Sequence, residues 1–478
     1  TTIKTKYRSA TNGIWSDVAT WESSYDDGST WQAATDIPHE ISIGTLISST
    51  DTVTVNASIL PAGFSMAEGS KVILNTGADF SKPISGAGTI TIQAASNNRY
   101  TSTITGATTV NVIIAKTGSY VSNEWTIQFK CTMPANAQVN VSTILVSPEK
   151  AGYAINNTVV ANAKVNLSEN IRLLGFYNQN LTPAIGELTG VTSSTIENVP
   201  SNTNAVTYSI GGLNTDAIFN GTFENMTGFT GALNINKVGT GTWTLTGASD
   251  LFSSGSLNVN AGKVIMNGSI DSTAVPVTVA AGATLAGNGI LGGATTVNGT
   301  LEGKLNFGSD LSLNGTTNLS VDGFAATQFD SISVAGNVTN GGTLNVTVNA
   351  VAPAINTAIR LIKAGTYTGS FTTVNVPANY TYDNATGVLT YTLGTNLAGS
   401  TNSKLNVYPT ITRNVVHIEG ENIASVQVVN LVGQIVKETG VNSNRTTINL
   451  NNMPTGSYLV KVRFVDNEIE VKRILFCN

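Results

Sequence analysis

Histidine and cysteine are nearly absent, with two of each in 478 residues. The two thiols, Cys131 and Cys477, rule out a stapling disulfide framework and read as unpaired. With His39 and His417 as the whole imidazole complement, no Ser-His-Asp or Cys-His arrangement and no His-based metal centre can be assembled. Charge is scarce as well. Lys, Arg, Asp and Glu make up 11% of the chain, less than half the usual share. The 24 basic and 29 acidic residues are dispersed, with a net charge of −5 and no basic stripe, which speaks against nucleic acid as a partner. No run of 18 apolar residues occurs, so no transmembrane segment is expected. The opening "TTIKTKYRSA" has neither the charged nor the apolar region of a signal peptide, and reads as cytoplasmic or already processed.

What is present is regular. Hydrophobic residues reach 41% and alternate with Thr, Asn and Ser, and 47 glycines punctuate them. This is the signature of short strands and turns rather than of disorder. A repeat runs through the middle of the chain. Aligning "LNVNAGKVIMNG" from Leu257 with "VTVAAGATLAGNG" from Val277 pairs Val259 with Val279, Gly262 with Gly282 and Ile265 with Leu285. The same alignment places Ile235 before Val259, and Val297 and Leu313 after Val279. A repeat of variable length near 20 residues predicts a parallel β-solenoid. Val, Ile and Leu then form an inward ladder, with rungs about 4.8 Å apart. Thr, Asn and Ser face outward, and glycines occupy corners.

A solenoid needs closed ends. "GIWSDVATWESSYDDGSTWQAATDIP" holds Trp15, Trp21 and Trp31, large enough to cover an open apolar ladder. At the other end, Gly341-Gly342 and Asn384 to Gly387 read as hairpin turns. The expected fold class is therefore all-β: a parallel β-helix (solenoid) with N- and C-terminal caps, followed by a small antiparallel β-sandwich. The expected boundaries are 1–69 for the aromatic-rich cap and first strands, 70–322 for the β-helix, and 323–393 for the cap hairpins. "GTNLAGSTNS" makes 394–403 a linker, and 404–478 is the last, immunoglobulin-like module.

In that module "SVQVVNLVGQIVKE" predicts a hairpin turning at Gly433-Gln434, and Pro454 and Gly456 predict a turn. Tyr458, Val460, Val462 and Phe464 share one face of the next strand, with Lys461 and Arg463 on the other. The segments "VYP" (Tyr408, Pro409), "VVHIEG", "SVQVVNLVGQIV", "INLNNMPTGSYLVKV" and "VKRIL" come in order from Lys404 to Leu475. They resemble the C-terminal sorting domain, type A, of proteins exported by the type IX secretion system of the Bacteroidetes. "YPTITRN" departs from the Asn-Pro pair usual after the first proline. The resemblance implies a secreted protein at the outer-membrane cell surface of a Gram-negative bacterium, with its signal peptide removed by processing. It implies the translocon and attachment machinery as partners, with Tyr408, Pro409, Gly433, Gln434, Pro454, Gly456, Tyr458, Val460, Lys461 and Val462 forming the sorting signal. "VGTGTWTLTGASDLFSSGSLNVNAGKVIMNGS" resembles the passenger-associated repeat of autotransporter-type adhesins, which supports the solenoid fold. A stiff, weakly charged Thr/Asn-lined surface suits an adhesin-like or structural role, with glycans or other copies as contacts.

The rival readings are a polysaccharide lyase or hydrolase and a glycan-binding surface protein. A hydrolase needs two facing carboxyls, and a lyase needs a base with acids beside it. From Leu233 to Asp322 the charged residues are scattered, and no two acids are expected one coil apart at the same rung position. A glycan-binding face needs a row of aromatics, and Trp243 is the one tryptophan in the clear repeat. No catalytic residue and no cofactor are assigned. Asp26 and Asp27 in "SYDDGST" suit either a Ca²⁺ ligand pair or a plain Asp-Gly turn, and the turn is favoured. Thr52 in "DTV" and Ser331 in "DSI" resemble the short O-glycosylation sequon of Bacteroidetes secreted proteins.

Overall fold

The computed structural model describes residues 5–477 apart from 40–41, 43, 57–61, 76–79, 95–97, 107–108, 115–126, 130, 144–150, 156–159, 176–179, 199–203, 226–229 and 393–403. The proposed linker, 394–403, lies outside the described residues. The chain divides into two compact units, 1–392 and 393–478.

The first unit is a parallel β-solenoid. In its regular part each coil contributes three short strands. One face stacks Leu233–Lys237, Gly255–Val259, Val277–Val279, Thr295–Val297, Leu311–Leu313, Asn337–Asn340 and Thr366–Gly369 in parallel. A second face runs from Thr242–Leu245 to Thr373–Asn375, and a third from Ser269–Ile270 to Ile362–Lys363. Alternation drives this packing. Val259, Val279, Val297 and Leu313 stand level on successive rungs and are fully buried, while Asn258, Thr278, Thr296 and Ser312 between them face outward.

Outward amides link the rungs. Asn375 donates to Asn345 at 2.8 Å, Asn345 to Asn318 at 2.9 Å, and Asn318 to Glu302 at 3.4 Å. Glu302 in turn takes the Lys263 ammonium at 2.7 Å across an intervening coil, which lowers its carboxyl below the ordinary value. Corners need glycine where backbones touch. Gly255 has φ +135°, and a Cβ there would lie 1.6 Å from the Leu233 carbonyl oxygen.

The register corrects two of the sequence pairings. Ile235 is level with Leu257, and Lys237 stands opposite Val259. Alternation with period two is blind to a shift of two residues, and a lysine at an inward position was not anticipated. Leu285 is level with Val264, and Ile265 with Ala286, because the corner after Gly282 holds one residue more than the corner after Gly262.

Lys237 is 1% exposed inside the apolar ladder. Its ammonium donates to the carbonyls of Val238 at 2.7 Å, Gly239 at 2.9 Å and Ala261 at 3.2 Å, and burial pushes its pKa down to about 8. A second buried charge sits where the coils are longer. Glu197, with no exposure, accepts from Arg172 Nε at 2.7 Å and Thr195 Oγ1 at 2.7 Å, with a second Arg172 nitrogen on its other oxygen.

Parallel stacking reaches beyond 70–322 at both ends. It begins with Gly13–Ile14 and Lys6–Ser9 against the next coil and continues to Thr373–Asn375. Gly341-Gly342 is therefore a coil corner and not a hairpin turn: the strands on either side pair up and down the stack, not with each other. Asn384 to Gly387 does join an antiparallel hairpin, Tyr380–Asp383 with Val388–Tyr391, and Ala358–Arg360 completes a three-stranded cap. This cap is tied to the last coil. Gly387 O accepts from Leu361 N at 2.9 Å, and the Asn384 carbonyls accept from Asn340 Nδ2 at 3.2 Å and Phe371 N at 3.0 Å. At the other end Trp15 and Trp21 are buried, 4.8 Å apart edge to face, with Phe64 5.4 Å from Trp15. Trp31 departs from the expectation. It is half-buried on the outside, under the Arg8 guanidinium at 4.5 Å.

Candidate functional site

The second unit is built on one long hairpin, Val415–Asn430 with Ile435–Asn449. Near Gly420 to Asn422 its register shifts, and Asn422 takes φ 58°, so the hairpin bends. Before the bend Leu405–Tyr408 pairs along its edge. After the bend Gly456–Phe464 pairs there, followed by Ile469–Phe476 and, in parallel, Ile411–Thr412. Between the two halves lie Val407, Val416, Ile418, Val426, Val428, Tyr458, Val460, Val462, Phe464, Ile474 and Phe476, all buried. No helix among the described residues is long and apolar enough to cross a membrane.

The motif residues have separate structural tasks. Tyr458 is buried and its hydroxyl donates to the Pro454 carbonyl at 2.7 Å, which closes the turn containing Gly456. Val460 and Val462 are core, and Lys461 and Arg463 are exposed on the reverse face. At the hairpin tip Gly433 has φ +88°, and the Asn430 side chain accepts from Gln434 N at 2.9 Å and Val432 N at 3.2 Å. Leu431 and Val432 project from this tip, 70% and 87% exposed. Tyr408, joined to Pro409 by a cis peptide, donates its hydroxyl to Glu419, and its ring lies 5.5 Å from that of His417.

The reverse face of the second half is the feature that sequence reading missed. Register brings Lys461 beside Val471, Arg463 beside Ile469 and Leu475 beside Ile411. Ile411, Ile469, Val471 and Leu475 are all exposed. Among the described residues Lys461, Arg463, Lys472 and Arg473 make no ion pair. The signal was available in "RFVDNEIEVKRILF": apolar residues occupy alternate positions on both faces of the last strand, not on one.

Among the described residues the solenoid's titratable groups form no comparable cluster. Asp26 accepts from Ser24 Oγ at 2.7 Å, Thr30 N at 2.8 Å and Thr30 Oγ1 at 2.6 Å, and these bonds hold its carboxyl down at about 2. Asp27 and Gly28 take φ 63° and 95°, and Asp27 pairs with Lys6 at 2.6 Å. Both carboxylates serve a tight turn. No group of three or more His, Cys, Asp or Glu among the described residues could hold a metal ion. His39 lies beside Asp36 at 3.4 Å, and His417 belongs to the other unit.

One expectation fails. Asp250 and Asp271 do stand level on adjacent coils, because Ala248 is level with Ser269, and the neighbouring Asp271 carboxyl raises the Asp250 pKa. Both are exposed. Trp243 is internal, its indole donating to the Leu188 carbonyl at 3.1 Å. Cys131 is buried and its thiol is pushed up to about 12, and Cys477 is half-buried; both are free. Thr52 and Ser331 are each half-buried and gather no other functional group; the Thr52 amide donates to Asn12 at 2.7 Å.

Residues 406–476 match the family model of the secretion system C-terminal sorting domain. The match supports export of this chain by the type IX system and a secreted or cell-surface location. No curated protein matches the chain. Among solved structures it is similar to PorZ, described as an essential bacterial surface component of the type-IX secretion system of Porphyromonas gingivalis. The identity is 20%, the overlap covers 22% of this chain and 16% of that one, and the TM-score is 0.15.

Proposed function

We propose that the chain is an adhesin-like or structural cell-surface rod, exported by the type IX system through a type A sorting module at 404–478. The observation that carries this reading is the sorting-domain match at 406–476 on a module whose last two strands expose apolar and cationic side chains on one face. Exposed Ile469, Val471 and Leu475 set among Lys461, Arg463 and Arg473, none of them in an ion pair among the described residues, have the composition of a protein interface, where arginine and apolar side chains are enriched. The export and attachment machinery is the partner that this face meets.

The passenger role is non-catalytic. Asp250 and Asp271 stand side by side on the exposed edge of adjacent rungs and do not face each other across a gap, as the two carboxyls of a glycosidase do. Outward Thr, Asn and Ser instead offer many weak hydrogen bonds, which repetition multiplies. Deleting Lys404 to Asn478 and following export tests the address, and undiminished surface display refutes it. Turnover of any substrate on a polysaccharide panel refutes the non-catalytic role.

A further inference from the structure

The outer face of the first coils is hollow. Two cavities of about 310 and 300 Å³ adjoin there and share Gly44, Thr45 and Ser65. They lie across the parallel strands Lys6–Ser9, Gly44–Ile47, Phe64–Met66, Ile84–Gly86 and Ile104–Thr105. Each volume is at the lower end of those that hold small ligands. Ser65, Ser85 and Thr105 stand level on three successive rungs, so hydroxyls repeat along the groove about every 4.8 Å. Ser65 Oγ donates to the Thr45 carbonyl at 3.2 Å and Ser85 Oγ to the Phe64 carbonyl at 3.5 Å. Their hydrogens are thus spent on the preceding rung, and their lone pairs remain for an incoming donor.

The floor is low because Gly44 and Gly63 carry no side chain. Gly63 is demanded by the fold, since a Cβ there would lie 2.9 Å from the Pro83 ring and carbonyl. Gly44 is not: a Cβ would meet only Lys6 Cγ, at 3.8 Å, and its backbone is outside the left-handed region. One end of the groove is walled by Trp31, whose ring also carries the Arg8 guanidinium. The charges there cancel locally, Lys6 with Asp27 at 2.6 Å and Arg8 with Glu22 at 2.7 Å. A row of acceptors at a spacing near one pyranose ring, an aromatic wall and no free charge suit one class of ligand.

We infer that this groove binds a neutral oligosaccharide, its chain running along the solenoid axis with one end against Trp31. The inference deepens the surface-contact reading and rests on it for its biological setting. Binding is measured on the purified full chain, so its failure and a failure of export are separate results.

The test is calorimetric titration with cellohexaose, mannohexaose and chitohexaose, and with hexagalacturonate as the charged counterpart. The expected result is saturable binding of at least one neutral probe, weakened about tenfold or more by Trp31→Ala and by Gly44→Leu, which fills the floor without backbone strain. Circular dichroism checks the fold of each variant, and the double substitution Ser65→Ala with Ser85→Ala gives an independent reading if either is disturbed. Absence of binding to all three neutral probes, tighter binding of hexagalacturonate, or neutral binding unchanged in the folded variants overturns the inference.

Discussion

Among the described residues, ten large apolar side chains stand exposed on the unit spanning 1–392 and ten more on the unit spanning 393–478, which is less than a quarter as long. The solenoid covers each coil with the next, so an inward ladder such as Val259, Val279, Val297 and Leu313 is sealed by repetition. The sorting module has two layers around one core, and among its described residues nothing covers Ile469, Val471 and Leu475. The difference separates stability from recognition. In the solenoid a buried apolar residue holds the fold, whereas on the module's reverse face it stays exposed and is free for the role proposed above.

The comparison breaks most visibly where the solenoid interior is charged. Arg172→Met removes the cation from buried Glu197 and should destabilise the first unit by about 3–5 kcal/mol, read by urea denaturation. An unchanged midpoint would mean that solenoid burial is not what sets stability there. Leu313→Ala should cost about 2–5 kcal/mol, the price of a cavity between rungs.

Lys237 gives a pH-dependent version. Its pKa is lowered from 10.5 to about 8 in the folded chain, so the native state holds its proton less tightly than the unfolded one. Between pH 8 and 10.5 the unfolded chain keeps the proton that the native chain has lost, and stability should rise across that window by at most about 3 kcal/mol. Below pH 8 both states are protonated and the contribution is flat. Lys237→Met should remove the rise, measured as the difference between the two denaturation profiles.

The smallest effect sharpens the contrast from the other side. Val471→Ser and Leu475→Ser should shift the melting of the module by no more than about 0.5 kcal/mol. The same substitutions should reduce surface display in cells. Full display would show that this face is idle.

The solenoid was legible because alternation and Gly/Asn corners repeat: the levels of Val279, Val297 and Leu313 follow directly from the sequence. Its exact register at Lys237 was not, since alternation gives no penalty for a shift of two and the stabilising carbonyls belong to corners that composition does not reveal. The Asp250–Asp271 contact was hidden for a related reason: coil lengths differ, so spacing along the chain does not give level. In the module the motif predicted core and turns well, because Tyr458, Val460 and Val462 alternate strictly. The exposed reverse face was missed because Ile469, Val471 and Leu475 look like ordinary strand residues until pairing shows which side they occupy. The groove by Trp31 depends on strands brought together from Lys6 to Thr105, and no local pattern announces it.

The cap formed by Ala358–Arg360, Tyr380–Asp383 and Val388–Tyr391 seals one end without depending on how many coils precede it. Because backbone pairing at each level is with its immediate neighbours, and few side chains such as Lys263 reach a coil further, coil number can be varied by evolution or engineering. Excising 295–310 would bring Leu311 onto the level that Thr295 holds, shortening the projection by a single step of about 4.8 Å with both termini intact. The length of the stack can thus be tuned by adding or removing whole coils, whatever their individual lengths, from its middle.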